Sequence, residues 1–329
     1  MRQVPKYLII GNGRVARHFV HYFSLLKIKQ YSQWDRSQPV ARLKELVDDS
    51  NRILLAIRDD AIEPFIDEHL STAKVCEHVQ ALNQGYAALQ TGASADTVRD
   101  MERALKFFAG SHGDLPANRK NIANAGKALE VLPGAGEAGV RRLGLKIDAI
   151  KKGLRAPIRI HFSGSLVSKK AWGAHPLMTF GPDLYPLEKY LSIPFVVDEK
   201  APPFSELFPS LHNPNVRLNE RQKAKYHALC VMSGNFSCLL WQKLFESLSE
   251  EFGISPHTAD MYLRQQADNL LANYKTALTG PLARGDQATI AKNLKALDHD
   301  PFQGIYQAFV EAWPSIKQEK LKDRERKAS

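Results

Sequence analysis

The feature that most restricts this chain is the run Tyr7-Leu-Ile-Ile-Gly11-Asn-Gly13-Arg-Val-Ala16. Four consecutive apolar residues without polar alternation suit a strand covered on both faces, as in parallel sheets. Gly11 then permits a tight turn, Gly13 lets the backbone approach a pyrophosphate, and Ala16 allows close packing of the following helix on the strand. Apolar residues return at Val15, Phe19, Phe23 and Leu26, a helical spacing. Strand, glycine turn and amphipathic helix in that order form a dinucleotide-binding unit, with free N–H groups of the helix N-terminus aimed at the phosphates. Gly11, Asn12, Gly13, Arg14, Val15 and Ala16 are its candidate cofactor-binding residues.

A second strand is expected over Ile28–Trp34, ending at Asp35-Arg36-Ser37. An acid about 20 residues beyond the glycines suits the ribose diol of NAD. Arg36 and Ser37 suit a 2′-phosphate better, through charge-assisted hydrogen bonds, and Arg14 adds a positive charge. The balance favours NADP(H) over NAD(H). A helix over Pro39–Val47, a strand over Arg52–Ile57 and a helix over Ala61–Leu70 continue the alternation, which predicts an α/β doubly wound parallel sheet.

The alternation stops near Ala73 and resumes with strands over Ile158–Phe162, Ile193–Val197 and near Val216. Between them the periodicity is helical, with helices expected over Thr97–Phe108, Asn121–Val131 and Leu143–Leu154. Beyond Asn219 the pattern is helical almost throughout. Glu220–Gly253 reads as one long helix whose apolar residues lie on nearly all sides, so it is expected to be buried in a core or a subunit interface. Ala259–Ala277 follows, with Ser255-Pro256 as its expected cap and first turn, then Ala288–Ala296, for which Asp286 is the expected cap, and Phe302–Trp313. The domains read as 1–72 with 158–218, a helical basic insertion over 73–157, a helical C-terminal domain over 219–315, and a frayed charged tail over 316–329.

Proton-handling groups are expected where strands end. His175, in Gly173-Ala-His175-Pro176, and Ser163 are the candidate catalytic pair: a neutral histidine can exchange a proton with the reacting oxygen, and the hydroxyl can hydrogen-bond it. A turn histidine locked by Pro176 is the alternative for His175. His161 reads as a structural strand residue. His227 and Asn235 are polar exceptions on the long helix, eight residues apart, and so share roughly one face. Buried polar groups need partners, so they either meet substrate or pair across helices.

The net charge is +10 over 329 residues. Residues 119–155 carry nine bases against three acids, and 317–329 carry six against three, so the remainder is close to neutral. Leu132-Pro133-Gly134 through Leu143 resembles a helix-hairpin-helix turn, which grips nucleic-acid phosphates. Nucleic-acid contact through 119–155 ranks behind an oligomerisation arm or a lid. Three scattered cysteines make neither a disulfide framework nor a zinc site, and no metal site is expected. No apolar run reaches the ~18 residues of a membrane span, and the N-terminus lacks a signal-peptide apolar region. A cytoplasmic protein without membrane contact is expected.

The order Gly11-Asn-Gly-Arg-Val-Ala, Ile57-Arg58-Asp-Asp-Ala-Ile62, His161-Phe-Ser-Gly, Gly173-Ala-His-Pro-Leu and Leu278-Thr-Gly-Pro-Leu-Ala-Arg-Gly-Asp286 resembles an uncharacterised bacterial family. That family joins a Rossmann-like domain to an all-helical C-terminal domain of unknown function, within the 6-phosphogluconate dehydrogenase-like superfamily. Pyrroline-5-carboxylate reductase and prephenate dehydrogenase are wider relatives. Gly173-Ala-His175-Pro176 is similar to the prephenate dehydrogenase region carrying its active-site histidine. The resemblance implies a nicotinamide-dependent oxidoreductase of a small molecule, with a helical dimerisation domain, and it adds Ile57 and Arg58 to the cofactor-binding candidates. The 73–157 insertion and the lack of a Lys-plus-Asn catalytic motif on the long helix depart from relatives. The expected activity is NADP(H)-dependent hydride transfer to or from a carbonyl, imine or hydroxyl compound, with a non-catalytic dinucleotide sensor as the alternative.

Overall fold

The computed structural model describes residues 6–70, 73–90, 95–111, 116–130, 136–153 and 157–328. Its compact units are residues 1–236 and 237–329. In the first, β1 (Tyr7–Ile10) is buried along its whole length. Tyr7 and Ile9 enter one hydrophobic core and Leu8 and Ile10 the other, so both faces of the strand are covered. The helix after the glycine turn, α1 (Arg14–Leu25), buries Ala16, Phe19, Tyr22 and Phe23. Full burial of a side chain such as Phe23 stabilises the fold by about 1.5–3 kcal/mol.

The chain continues through β2 (Tyr31–Trp34), α2 (Val40–Asp49), β3 (Arg52–Leu55) and α3 (Asp59–His69). β2 starts three residues later than the sequence suggests, because Lys27 takes a positive φ of 56° and the chain turns before entering the sheet. After the inserted helices come β4 (Ile158–His161) and β5 (Trp172–Pro176). The strands that complete the sheet, β6 (Phe195–Asp198) and β7 (Asn215–Leu218), have order β2-β1-β3-β4-β5-β6-β7. The pairs from β2 to β5 are all parallel. β6 runs antiparallel to β5, and β7 is parallel to β6, so the sheet is mainly parallel with a reversed edge. β5 is not among the strands expected from the sequence, where a turn at His175 was an alternative reading. It is a strand, and its pairing with β6 makes it one: Ala174, His175 and Pro176 face Val197, Val196 and Phe195.

The insertion is formed by α4 (Ala73–Leu89), α5 (Ala95–Ser111), α6 (Pro116–Glu130) and α7 (Gly136–Gly153). Each packs on the next, and α4 packs on α7, which closes a four-helix bundle. Leu82, Met101, Phe108, Leu129, Leu143 and Ile150 are in its core, which is distinct from the two cores of the sheet. The expected hairpin turn falls on residues 131–135, outside the described residues. α8 (Leu187–Ser192) and α9 (Phe204–Leu207) are short helices beside β6, and Asn219 caps α10 (Glu220–Val231) by accepting from Gln222 N.

The expected single long helix is interrupted. A π-helical turn occupies Met232–Phe236 before α11 (Ser237–Glu250). Within the single chain the stretch is not covered by a helical core: Leu229, Met232, Phe236 and Leu239 are each more than half exposed, which leaves a subunit interface as the other half of the expectation.

In the second unit a 3-10 turn, Pro256–Ala259, precedes α12 (Asp260–Asn273). Ser255 makes no side-chain cap, contrary to expectation, because the 3-10 turn itself occupies the start of the helix. Gly280 and Gly285, both at positive φ, bracket α13 (Pro281–Arg284), and the Asp286 carboxylate caps α14 (Gln287–Ala296) by accepting from Thr289 N. The charged tail is helical in the structure, as α15 (Gln303–Ala328) continues through it. Among the described residues no helix is long and apolar enough to cross a membrane.

Candidate functional site

In the strand order β2-β1-β3, the chain leaves β1 for one side of the sheet and returns to the other. Ligands of open α/β sheets bind beyond the carboxyl ends of the strands at such a switch point. The glycine turn lies there. Gly11 has φ of 119°, a conformation that side chains rarely adopt, and a Cβ on it would collide with the Ala56 carbonyl at the end of β3. Gly11 O also accepts a hydrogen bond from Gln33 Nε2 at 2.8 Å, which ties the turn to β2. Gly13 is different. Its φ of −73° and ψ of −176° are open to any residue, and a Cβ there would meet nothing within 4 Å. Gly13 is the residue before α1, which has no side-chain cap, so the first N–H groups of that helix are left for a ligand. This turn fits a pyrophosphate.

The remaining cofactor candidates surround it. Asn12, Gly13 and Arg14 are exposed, Val15 is half-buried and Ala16 is buried. Ile57 lies against Gly11, its Cγ2 3.3 Å from where a Gly11 Cβ would stand. Arg58 forms an exposed two-pronged pair with Asp60, at 2.6 and 3.1 Å. At the end of β2 the Asp35 carboxylate accepts from both the backbone N–H and the hydroxyl of Ser37, at 2.8 and 2.6 Å, which holds the Asp35 pKa below its usual value. Ser37 therefore has no free donor, contrary to the role expected of it. Arg36 is exposed and forms no ion pair among the described residues.

A polar cluster occupies the same edge of the sheet at β4 and β5. His175 Nδ1 is 2.9 Å from the Tyr226 hydroxyl on α10. The His175 and His227 rings meet edge-on with centroids 5.6 Å apart. His227 Nδ1 is buried against Gly164, where a Cβ would collide with it. Ser163 donates to the Asp59 carboxylate in the first turn of α3, and accepts from Leu166 N at 3.0 Å. Its hydroxyl proton is directed at Asp59 in this structure.

The cluster rests on a buried ion pair. Lys223 Nζ is 2.7 Å from Asp198 Oδ1 and 2.5 Å from Leu166 O, and Asp198 also accepts from Gly173 N at 2.6 Å. The two side chains are 6% and 13% exposed. His161, the last residue of β4, is fully buried, and neither ring nitrogen has a hydrogen-bond partner among the described residues. Desolvation, and then the Lys223 charge, push its pKa down to about 4. Desolvation and then His227 push that of His175 down to about 4 as well. Both rings are neutral near pH 7.

Sequence reasoning pairs Ser163 with His175 and leaves His227 open; in the structure His175 and His227 meet edge-on, His227 lies against Gly164, and Ser163 bonds the Asp59 that faces His175. The structure does not bring Asn235 there. Asn235 is exposed within the π-helical turn, whose wider winding changes the register that would set it on the face of His227. Asp59, Asp198 and Lys223 were missed. The Ile57-Arg-Asp-Asp run signals the first of these; nothing local signals the ion pair. Among the described residues no group of histidines, cysteines and carboxylates could hold a metal.

Residues 196–313 match the family model of DUF2520, a domain of unknown function. No curated protein matches the chain. Among solved structures, a candidate NADP oxidoreductase from Bacteroides fragilis is similar at 14% identity and a TM-score of 0.55, over 94% of this chain and 97% of that one. A protein from Thermotoga maritima, also 14% identical, aligns over 95% of this chain and 99% of its own with a TM-score of 0.49. The sheet, its glycine turn and the match over 196–313 make this chain similar to an uncharacterised family that joins a Rossmann-like fold to a helical domain of unknown function.

Proposed function

We propose that the chain is an NADP(H)-dependent oxidoreductase acting on a small carbonyl, imine or hydroxyl compound. The observation that carries this reading is the sharing of one sheet edge by an open glycine turn and a cluster of neutral histidines. β1 and β5 are three strand positions apart in the sheet, about 14 Å at ordinary strand spacing. A dinucleotide seated at Gly13 and running along that edge would extend towards His175. A bound nicotinamide would supply or accept the hydride. The chain's own part is to hold the pyrophosphate at the α1 N-terminus, to meet a 2′-phosphate with Arg36, and to hydrogen-bond the reacting group from His175. With Asp35 engaged by Ser37 and Arg36 unpaired, the end of β2 favours NADP(H) over NAD(H). The named function of the Bacteroides fragilis protein accords with this reading.

A second copy of the chain is the proposed partner. In residues 237–329 the buried apolar residues, among those described, are Ala259 and Ile290. Met261, Tyr262, Leu271, Tyr274 and Phe309 are more than half exposed. A unit of five helices with so small a core needs its apolar faces covered, and sedimentation should show a dimer that Leu271→Asp dissociates.

The cofactor is tested by thermal shift with NADPH, NADP, NADH and NAD on the wild type and on Arg36→Ala. We expect stabilisation by NADP(H) that Arg36→Ala greatly reduces. No shift with any of the four would overturn the reading.

A further inference from the structure

The two site histidines differ in how their Nδ1 atoms are covered, but the consequence is the same. The Tyr226 hydroxyl carries one proton and needs an acceptor. Within reach is His175 Nδ1 at 2.9 Å, and a ring nitrogen accepts far better than the thiol of Cys230, the other group beside the hydroxyl. Donation from Tyr226 leaves Nδ1 bare and puts the His175 proton on Nε2. His227 Nδ1 is buried against the Gly164 backbone with no hydrogen-bond partner. An N–H there would be a buried, unsatisfied donor, which costs more than a bare nitrogen facing a C–H. His227 therefore also carries its proton on Nε2. The Nε2 atoms of both rings are not among the buried unpartnered atoms, and neither has a hydrogen bond to a described residue.

We infer that Tyr226 is a positioning residue that holds His175 in its Nε2–H form, and that Gly164 does the same for His227. This edge then presents an Nε2–H donor from each ring, beside the Asp59 carboxylate. Such donors serve a lone pair, so the substrate class is one whose reacting group is a carbonyl oxygen or an imine nitrogen. That substrate class rests on the oxidoreductase reading above; the tautomers do not. The groups facing His175 are Tyr226 and His227 on α10, Asp59 on α3 and Lys223 on α10.

The test is a long-range proton–nitrogen spectrum of the full chain with 15N-labelled histidine at pH 7, assigned with His175→Gln and His227→Gln. Both rings should show a bare Nδ1 and a protonated Nε2. In Tyr226→Phe, His175 should pass to a mixture of tautomers and titrate at higher pH, since the lost hydrogen bond favoured its neutral form, while His227 is unchanged. A protonated Nδ1 on either ring of the wild type, or a His175 spectrum unaltered by Tyr226→Phe, would overturn the inference. NADPH stabilisation of Tyr226→Phe, measured in parallel, reports folding of the variant and tests the cofactor reading separately.

Discussion

Gly13→Ala separates folding from ligand binding, because the structure gives the methyl group room in the protein and none beside a pyrophosphate. The backbone at Gly13, φ −73° and ψ −176°, suits alanine, and the added Cβ meets no atom within 4 Å. The folding cost is that of a poorer residue before a helix, at most about 1 kcal/mol. Binding is another matter. Wild-type protein at a NADPH concentration 100 times the Kd gains about 2.7 kcal/mol; a tenfold weaker site at the same concentration gains about 1.4, and a hundredfold weaker one about 0.4. Urea unfolding with and without NADPH reads both quantities. We expect a ligand-free midpoint close to wild type and at least half of the ligand stabilisation lost. Gly11→Ala should do the reverse damage: its φ of 119° and the Ala56 carbonyl in its way destabilise the free protein, by about 1–3 kcal/mol from backbone strain alone. A Gly13→Ala protein that NADPH stabilises as fully as wild type would refute the placement of the phosphates.

Three further outcomes follow from the residues around the histidines and in the bundle. Lys223→Met leaves the Asp198 carboxylate, 13% exposed, without its cation, and should cost about 3–5 kcal/mol in urea unfolding; a change under 1 kcal/mol would show the pair to be solvated. His161 titrates near 4 in the folded chain and near 6.5 when unfolded, so the unfolded state binds the proton first as pH falls. The stability it contributes is complete above pH 6.5 and about 3 kcal/mol is lost on descending to pH 4, with His175 adding a loss in the same window. His161→Leu should remove about half of that pH dependence, measured as urea midpoints from pH 8 to 4. Phe108→Ala, in the separate core of α4–α7, should cost about 3–5 kcal/mol locally. It should loosen hydrogen-exchange protection in the bundle while leaving NADPH stabilisation intact.

The parts that could be read from the sequence are those set by local chemistry. Tyr7–Ala16 declares its strand, turn and helix within ten residues, and Asp286 declares its cap within three. β5 was hidden because a glycine and a proline within five residues are weak strand signals, and pairing with β6, some twenty residues on, makes Trp172–Pro176 a strand. The Lys223–Asp198 pair spans 25 positions and exists only once α10 packs against the sheet. Asn235 was misplaced because a 3.6-residue period cannot register a π-helical turn. The apolar residues of 220–250 were legible as a surface to be covered. What covers them is not encoded in the periodicity.

The bundle between α3 and β4 has a consequence for how the chain reaches its native state. His69 and Ile158 must be brought together for β4 to add to β3, and Arg159 Nη2 then bonds Leu70 O at 2.7 Å across the junction. As a flexible loop of roughly 90 residues, the intervening chain would impose a closure entropy whose length-dependent part is about 4 kcal/mol. But α4, the first of the four helices, packs on α7, the last. Once the bundle has formed from its own contacts, its entry and exit already lie side by side, and the strand that carries Ser163 towards the site is delivered by a short effective loop. An insertion that interrupts the Rossmann-like order in sequence therefore shortens it kinetically, provided that it folds first.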